Sequence, residues 1–136
     1  RLVGCGQTVA ELWRLPTRFL AAQAGAGAGA GAGAEPAEQE EWPGSVDVFL
    51  RRYTATTRPF IPFHCDSAAV TVNIALSAAP SSMGGELLCL HSGSVVAEGR
   101  EAGEATVHPA GLLHGVARVR EGERYTMICF FVRPRR

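Results

Sequence analysis

Between residues 46 and 132, apolar and polar positions alternate in short runs broken by glycine, proline and acidic turns, the period-two signature of strands packed on one face. The runs are 46–54, 60–66, 70–77, 86–91, 94–97, 105–108, 113–119 and 125–132. About eight short strands at this spacing predict a sandwich or barrel. In Val70-Thr71-Val72-Asn73-Ile74-Ala75-Leu76 the aliphatic residues occupy alternate positions, as a single packed face requires. The last two runs flank Glu121-Gly122-Glu123, which reads as a hairpin turn with His114 on one arm and Arg124 near the start of the other.

Upstream the period changes. Val9, Leu12, Trp13, Phe19 and Leu20 fall near helical spacing over residues 8–23, with Thr8 and Glu11 as a capping box and Pro16 as a kink or split. Trp13 reads as packing surface. Residues 24–34 alternate alanine and glycine, and 35–41 are acidic; such a segment has little to bury and a large entropic cost of ordering. The expected organisation is a helical brace at 1–23, a Gly/Ala-rich flexible insertion at 24–45 and a β core at 46–136.

The chain has 136 residues, enough for one core. Thirteen basic residues, all arginine, balance thirteen acidic ones, so there is no electrostatic case for nucleic acid. The basic end at Arg133, Arg135 and Arg136 reads as solvated tail. No run approaches the ~18 apolar residues that span a bilayer. Arg1 in place of methionine implies a longer product, and neither compartment nor oligomeric state is legible. Cys5, Cys65, Cys89 and Cys129 have no CxxC spacing and read as small buried hydrophobes. Cys89-x-His91 is half a zinc site without its other half.

The informative chemistry is His64-x-Asp66. Residues i and i+2 of a strand share a face, so the imidazole and carboxylate can grip one metal ion while Cys65 turns away. The same triplet also occurs by chance, and a strand histidine is commonly a core residue. His114 is the candidate third ligand. Two histidines and a carboxylate with open positions opposite suit non-haem Fe(II) oxygenases. Arg124 offers a planar fork for a carboxylate beside such a site.

The order His64-x-Asp66, His114, then Arg124 ten positions later resembles the 2-oxoglutarate and Fe(II)-dependent dioxygenases, in particular the prolyl 4-hydroxylase-like branch. Gly84-Gly85-Glu86-Leu87-Leu88 and Gly122-Glu123-Arg124-Tyr125 also look like that family, and the match covers about residues 46 to 132. The resemblance implies a mainly β double-stranded β-helix, a jelly-roll barrel, with the N-terminal helix bracing it. It implies iron on His64, Asp66 and His114, and the far carboxylate of 2-oxoglutarate on Arg124. Tyr53 and Thr126 are further candidates for that carboxylate, each equally readable as an ordinary strand residue. Collagen-type prolyl hydroxylases usually carry lysine where Arg124 stands, which weakens any claim to their substrate.

The implied activity is hydroxylation of an unactivated C–H bond with release of succinate and CO2. Asp66 favours hydroxylation over halogenation, since related halogenases replace the carboxylate. Ascorbate is an implied accessory. Peptidyl proline, peptidyl lysine and small molecules are all within reach of the fold. Two other readings stay open: a catalytically inactive metal-binding barrel acting as an interaction module, and a cupin-like metal protein using no oxoacid. Arg58 is either a substrate contact or an exposed loop residue. His108 is expected on the turn before His114 as a shaping residue, and neither it nor His91 is expected on iron.

Overall fold

The computed structural model describes residues 44–78 and 80–134, together with Phe19 and Ala22, both helical. Eight strands follow in order: β1 Ser45–Thr54, β2 Ile61–His64, β3 Val70–Ala75, β4 Leu87–His91, β5 Ser94–Glu98, β6 Ala105–Pro109, β7 His114–Val116 and β8 Glu123–Val132. All eight expected runs form strands, with ends shifted by a few residues.

Two antiparallel four-stranded sheets result, ordered β1-β8-β3-β6 and β2-β7-β4-β5. Apart from the β4–β5 hairpin, each strand is followed by one in the opposite sheet. That connectivity is the double-stranded β-helix, or jelly roll, and the chain is mainly β as expected. Switching sheets at almost every turn leaves a space between them walled by the inward side chains of both.

One expectation is overturned. β7 and β8 do not form a hairpin: β7 pairs with β2 and β4, and β8 with β1 and β3. The intervening segment crosses between sheets, held by Ala117 N to Glu86 O, Val119 N to Pro59 O and Arg120 N to Met83 O. Gly84 makes this crossing possible: its φ is +76°, and a Cβ there would lie 2.1 Å from the Arg118 carbonyl oxygen. His114 and Arg124 therefore come from different sheets.

β3 is also buried more fully than its pattern predicts. Val70 and Val72 pack outward with Cys129 and Phe131, and Phe19 lies against that cluster. The other parity, Thr71 and Asn73, is equally buried but faces the interior beside Phe130 and Ile128. Leu76, expected to continue the packed face, lies beyond the strand and is exposed. The rest of the helix expected over residues 8–23, Trp13 included, the Gly/Ala run at 24–34 and Cys5 lie outside the described residues.

Candidate metal centre

His64 closes β2 and is the direct ladder partner of His114, the first residue of β7. The ring centroids are 4.4 Å apart. Each Nδ1 sits by a carbonyl two residues earlier, Pro62 O at 2.9 Å and Leu112 O at 3.0 Å. A carbonyl only accepts, so each Nδ1 carries the proton and each Nε2 keeps its lone pair free. Both Nε2 atoms turn to Asp66, 3.4 Å from Oδ1 for His64 and 3.6 Å from Oδ2 for His114.

Asp66 lies two residues past the end of β2, outside the strand although the 60–66 run includes it. The alternation survives the strand's end: Cys65 is exposed while Asp66 has a side chain only 5% exposed. Thr71 Oγ1 donates to Asp66 Oδ2 at 2.6 Å, fixing the carboxylate. The three ligand atoms all lie within 4.8 Å of one another. Metal–ligand bonds of ~2.0–2.2 Å put neighbouring donors roughly 3 Å apart, and the 3.4 Å and 3.6 Å separations of Asp66 from the two imidazoles are close to this. Among the described residues, this is the one group of three or more such side chains able to hold a metal.

His108 falls in a strand, as the 105–108 run implies, and not on the turn where it is also expected. It belongs to β6, opposite Thr71, and is buried. Its Nε2 lies 3.9 Å from Asp66 Oδ2 with no hydrogen-bond partner, and its ring centroid is 4.4 Å from that of His114. Burial pushes its pKa down, so it stands neutral beside the group without joining it. His91 is exposed at the end of β4 and Cys89 is buried, so neither enters the cluster. Arg58 is an exposed loop residue with φ +52°.

The interior cavity touches His64, Asp66 and His114 at one end and extends to Tyr53, Leu87 and Ile128. Arg124 and Thr126 follow on the same inward parity of β8, both buried. Arg124 is the ladder partner of Tyr53, with its guanidinium carbon 5.5 Å from the ring centroid. Arg124 Nη1 and Thr126 Oγ1 are buried without any hydrogen-bond partner. Unpaired buried polar groups are costly, and two side by side mark a place built for an acceptor. Gly85 leaves room for this arrangement, since a Cβ there would lie 3.2 Å from Arg124 Cδ.

Arg100 escaped the sequence reading. It follows β5 in a polar loop, yet it is buried and donates through Nη1 to both Asn73 O and Asn73 Oδ1 at 2.8 Å. Only the alanine and glycine around it hint at burial, and they are weak signals.

The chain matches no family model, and no curated protein matches it. Solved structures do resemble it. A prolyl-4-hydroxylase from Pseudomonas putida superposes with a TM-score of 0.60 at 18% identity, over 90% of this chain and 83% of that one. A prolyl 4-hydroxylase from Phytophthora capsici gives 0.54 at 21%, over 62% and 31%. An oxidoreductase of the 2OG-Fe(II) oxygenase family from Burkholderia pseudomallei gives 0.53 at 25%, over 65% and 45%. The chain spans less than half the length of the last two. At these identities the likeness is one of fold, a fold that prolyl 4-hydroxylases and 2OG-Fe(II) oxygenases share.

Proposed function

We propose that this chain is the core of an Fe(II)- and 2-oxoglutarate-dependent dioxygenase that hydroxylates an unactivated C–H bond. The observation that carries the proposal is the pairing of two features in one barrel: a convergent His64–Asp66–His114 donor set and, on the same face of β8 as the cavity-lining Ile128 and Phe130, unsatisfied donors on Arg124 and Thr126. A facial set of three leaves positions opposite for a chelating oxoacid and dioxygen. When bound, iron and the oxoacid supply oxygen insertion coupled to oxidative decarboxylation, which yields succinate and CO2.

The protein's own part is binding and orientation. His64, Asp66 and His114 would hold the ion from one side, with the Nδ1 contacts to Pro62 and Leu112 keeping both imidazoles in the required tautomer. Thr71 keeps Asp66 from swinging away. Arg124 and Thr126 would donate to the distal carboxylate of the oxoacid. Burial raises the pKa of Tyr53, whose hydroxyl therefore stays protonated and able to donate to the same carboxylate. Val116, Leu87 and Ile128 wall the cavity between and exclude water.

A metal-binding barrel with no oxoacid, cupin-like or inactive, would leave Arg124 Nη1 and Thr126 Oγ1 buried and unpaired. That favours the dioxygenase reading. The substrate class is a peptide or small molecule, with peptidyl proline or lysine as the first to assay, and ascorbate belongs to the reading as the reductant that keeps iron ferrous. The domain reading goes with it: a catalytic core from residue 46 onward, preceded by a brace and a flexible insertion. The test is succinate formation from 2-oxoglutarate with Fe(II), O2 and ascorbate, by wild type and by Arg124→Ala. Succinate from wild type alone supports the proposal; equal background from both refutes it.

A further inference from the structure

The inner end of the barrel carries more positive charge than one oxoacid anchor needs. Arg100 is 8% exposed and Arg124 3%. Nε and Nη2 of Arg100, like Nη1 of Arg124, are buried and have no hydrogen-bond partner. Arg100 is tied by two bonds to Asn73, a residue that lines the cavity. Burial and then the charge of Arg124 bring the Arg100 pKa down to about 10. Tyr53 lies in the field of Arg124, Arg51, Arg58 and Arg100 together. The acids that act on these two arginines are Glu86, on Arg124, and Glu104, on Arg100.

Two desolvated cations with idle donors destabilise a fold unless something satisfies them. Nη1 of Arg100 is spent on Asn73, whereas Nε and Nη2 form a free fork suited to two acceptor oxygens.

From this we infer that Arg100 is a second anchor for the distal carboxylate of the oxoacid, so that the cosubstrate is held by two guanidiniums, one carried by β8 and one tied to β3 beside it. The inference rests on the 2-oxoglutarate reading and deepens it. Arg124 with Thr126 takes one side of the carboxylate, and Arg100 takes the other. A clamp of this kind selects dicarboxylic oxoacids strongly over monocarboxylic ones of the same length, because a methyl group in place of the carboxylate leaves two buried cations unpaired. Asn73 becomes a positioning residue that presents Arg100.

The test uses the full chain and reads binding rather than turnover. Calorimetry with metal-free protein and glutarate, which has both carboxylates but no keto group to chelate, isolates the distal clamp. Anaerobic Mn(II) protein with 2-oxoglutarate and with 2-oxovalerate, which lacks the distal carboxylate, reports the whole site. Arg100→Gln should weaken glutarate and 2-oxoglutarate about thirtyfold or more while leaving Mn(II) and 2-oxovalerate affinities unchanged. Wild-type affinity for 2-oxoglutarate in Arg100→Gln overturns the second anchor and leaves the oxoacid reading standing. No binding of 2-oxoglutarate by wild-type Mn(II) protein removes that reading and the clamp with it.

Because Arg100 also braces Asn73, a second readout needs no substitution. In wild-type protein labelled with 15N-arginine, glutarate should shift two buried guanidinium signals. A shift in only one contradicts the clamp.

Discussion

His64 and His114 stand as direct partners across the β2–β7 ladder, their rings 4.4 Å apart and both Nε2 atoms turned to the Asp66 carboxylate. Ladder pairing fixes their Cα positions, and the carbonyls of Pro62 and Leu112 fix their ring orientation, so the fold by itself brings the three side chains together. His114→Ala should then abolish the site rather than deform it. Outer-shell partners of metal ligands are worth about 10–100-fold in affinity, and a ligand itself should exceed this, so Mn(II) affinity by calorimetry falls about 100-fold or more with the β-sheet circular dichroism retained.

Thr71 contacts no metal in this account, yet its hydroxyl holds Asp66 at 2.6 Å. Thr71→Val keeps the side chain's shape and removes the donor. Mn(II) affinity should drop about 10–100-fold while 2-oxoglutarate affinity of the metal-saturated protein changes little. An unchanged metal affinity would show that the carboxylate is held by other means.

The β7-to-β8 crossing depends on Gly84, whose absent Cβ would meet the Arg118 carbonyl at 2.1 Å in a backbone region that L residues rarely adopt. Gly84→Ala should destabilise the domain by about 1–3 kcal/mol or more, read from the urea midpoint. A midpoint equal to wild type would mean that the crossing relaxes at no cost.

Much of this molecule was legible in its residues, and the reasons for the exceptions are physical. Strand positions follow from alternation, which each run such as 125–132 carries within itself. Pairing is not local: Glu121-Gly122-Glu123 reads the same whether its flanks zip together or part to opposite sheets, and contacts from Pro59, Met83 and Glu86 decide for parting. That His64, Asp66 and His114 meet was legible because residues i and i+2 of a strand share a face and these residue types together suit a metal. Arg100 was not, since a lone arginine in a polar loop looks solvated until the fold closes over it. His108 reads both as the end of the 105–108 run and as a turn residue for a related reason: whether Pro109 ends a strand or begins a turn depends on β3 lying alongside.

Proton linkage at the inner end has a definite sign. The Arg100 pKa is lowered to about 10, whereas an exposed arginine stays charged well above that. An anion binds the charged form, so binding above this value must be accompanied by proton uptake. Glutarate affinity should be flat from pH 7 to about 9 and fall as the pH passes through about 10. Arg100→Gln should be weak throughout and lose that step. A wild-type profile with no step near 10 would separate Arg100 from the ligand.

The central claim is that one barrel holds a metal on His64, Asp66 and His114 together with a chelated oxoacid anchored on Arg124. Anaerobic titration of the folded protein with Fe(II) and then 2-oxoglutarate tests it most directly. The account predicts a weak visible metal-to-ligand charge-transfer band that needs both additions, saturates at one equivalent of iron, is absent in His114→Ala and requires much more 2-oxoglutarate in Arg124→Ala. Folded, iron-loaded wild-type protein that gives no such band at saturating 2-oxoglutarate would contradict it.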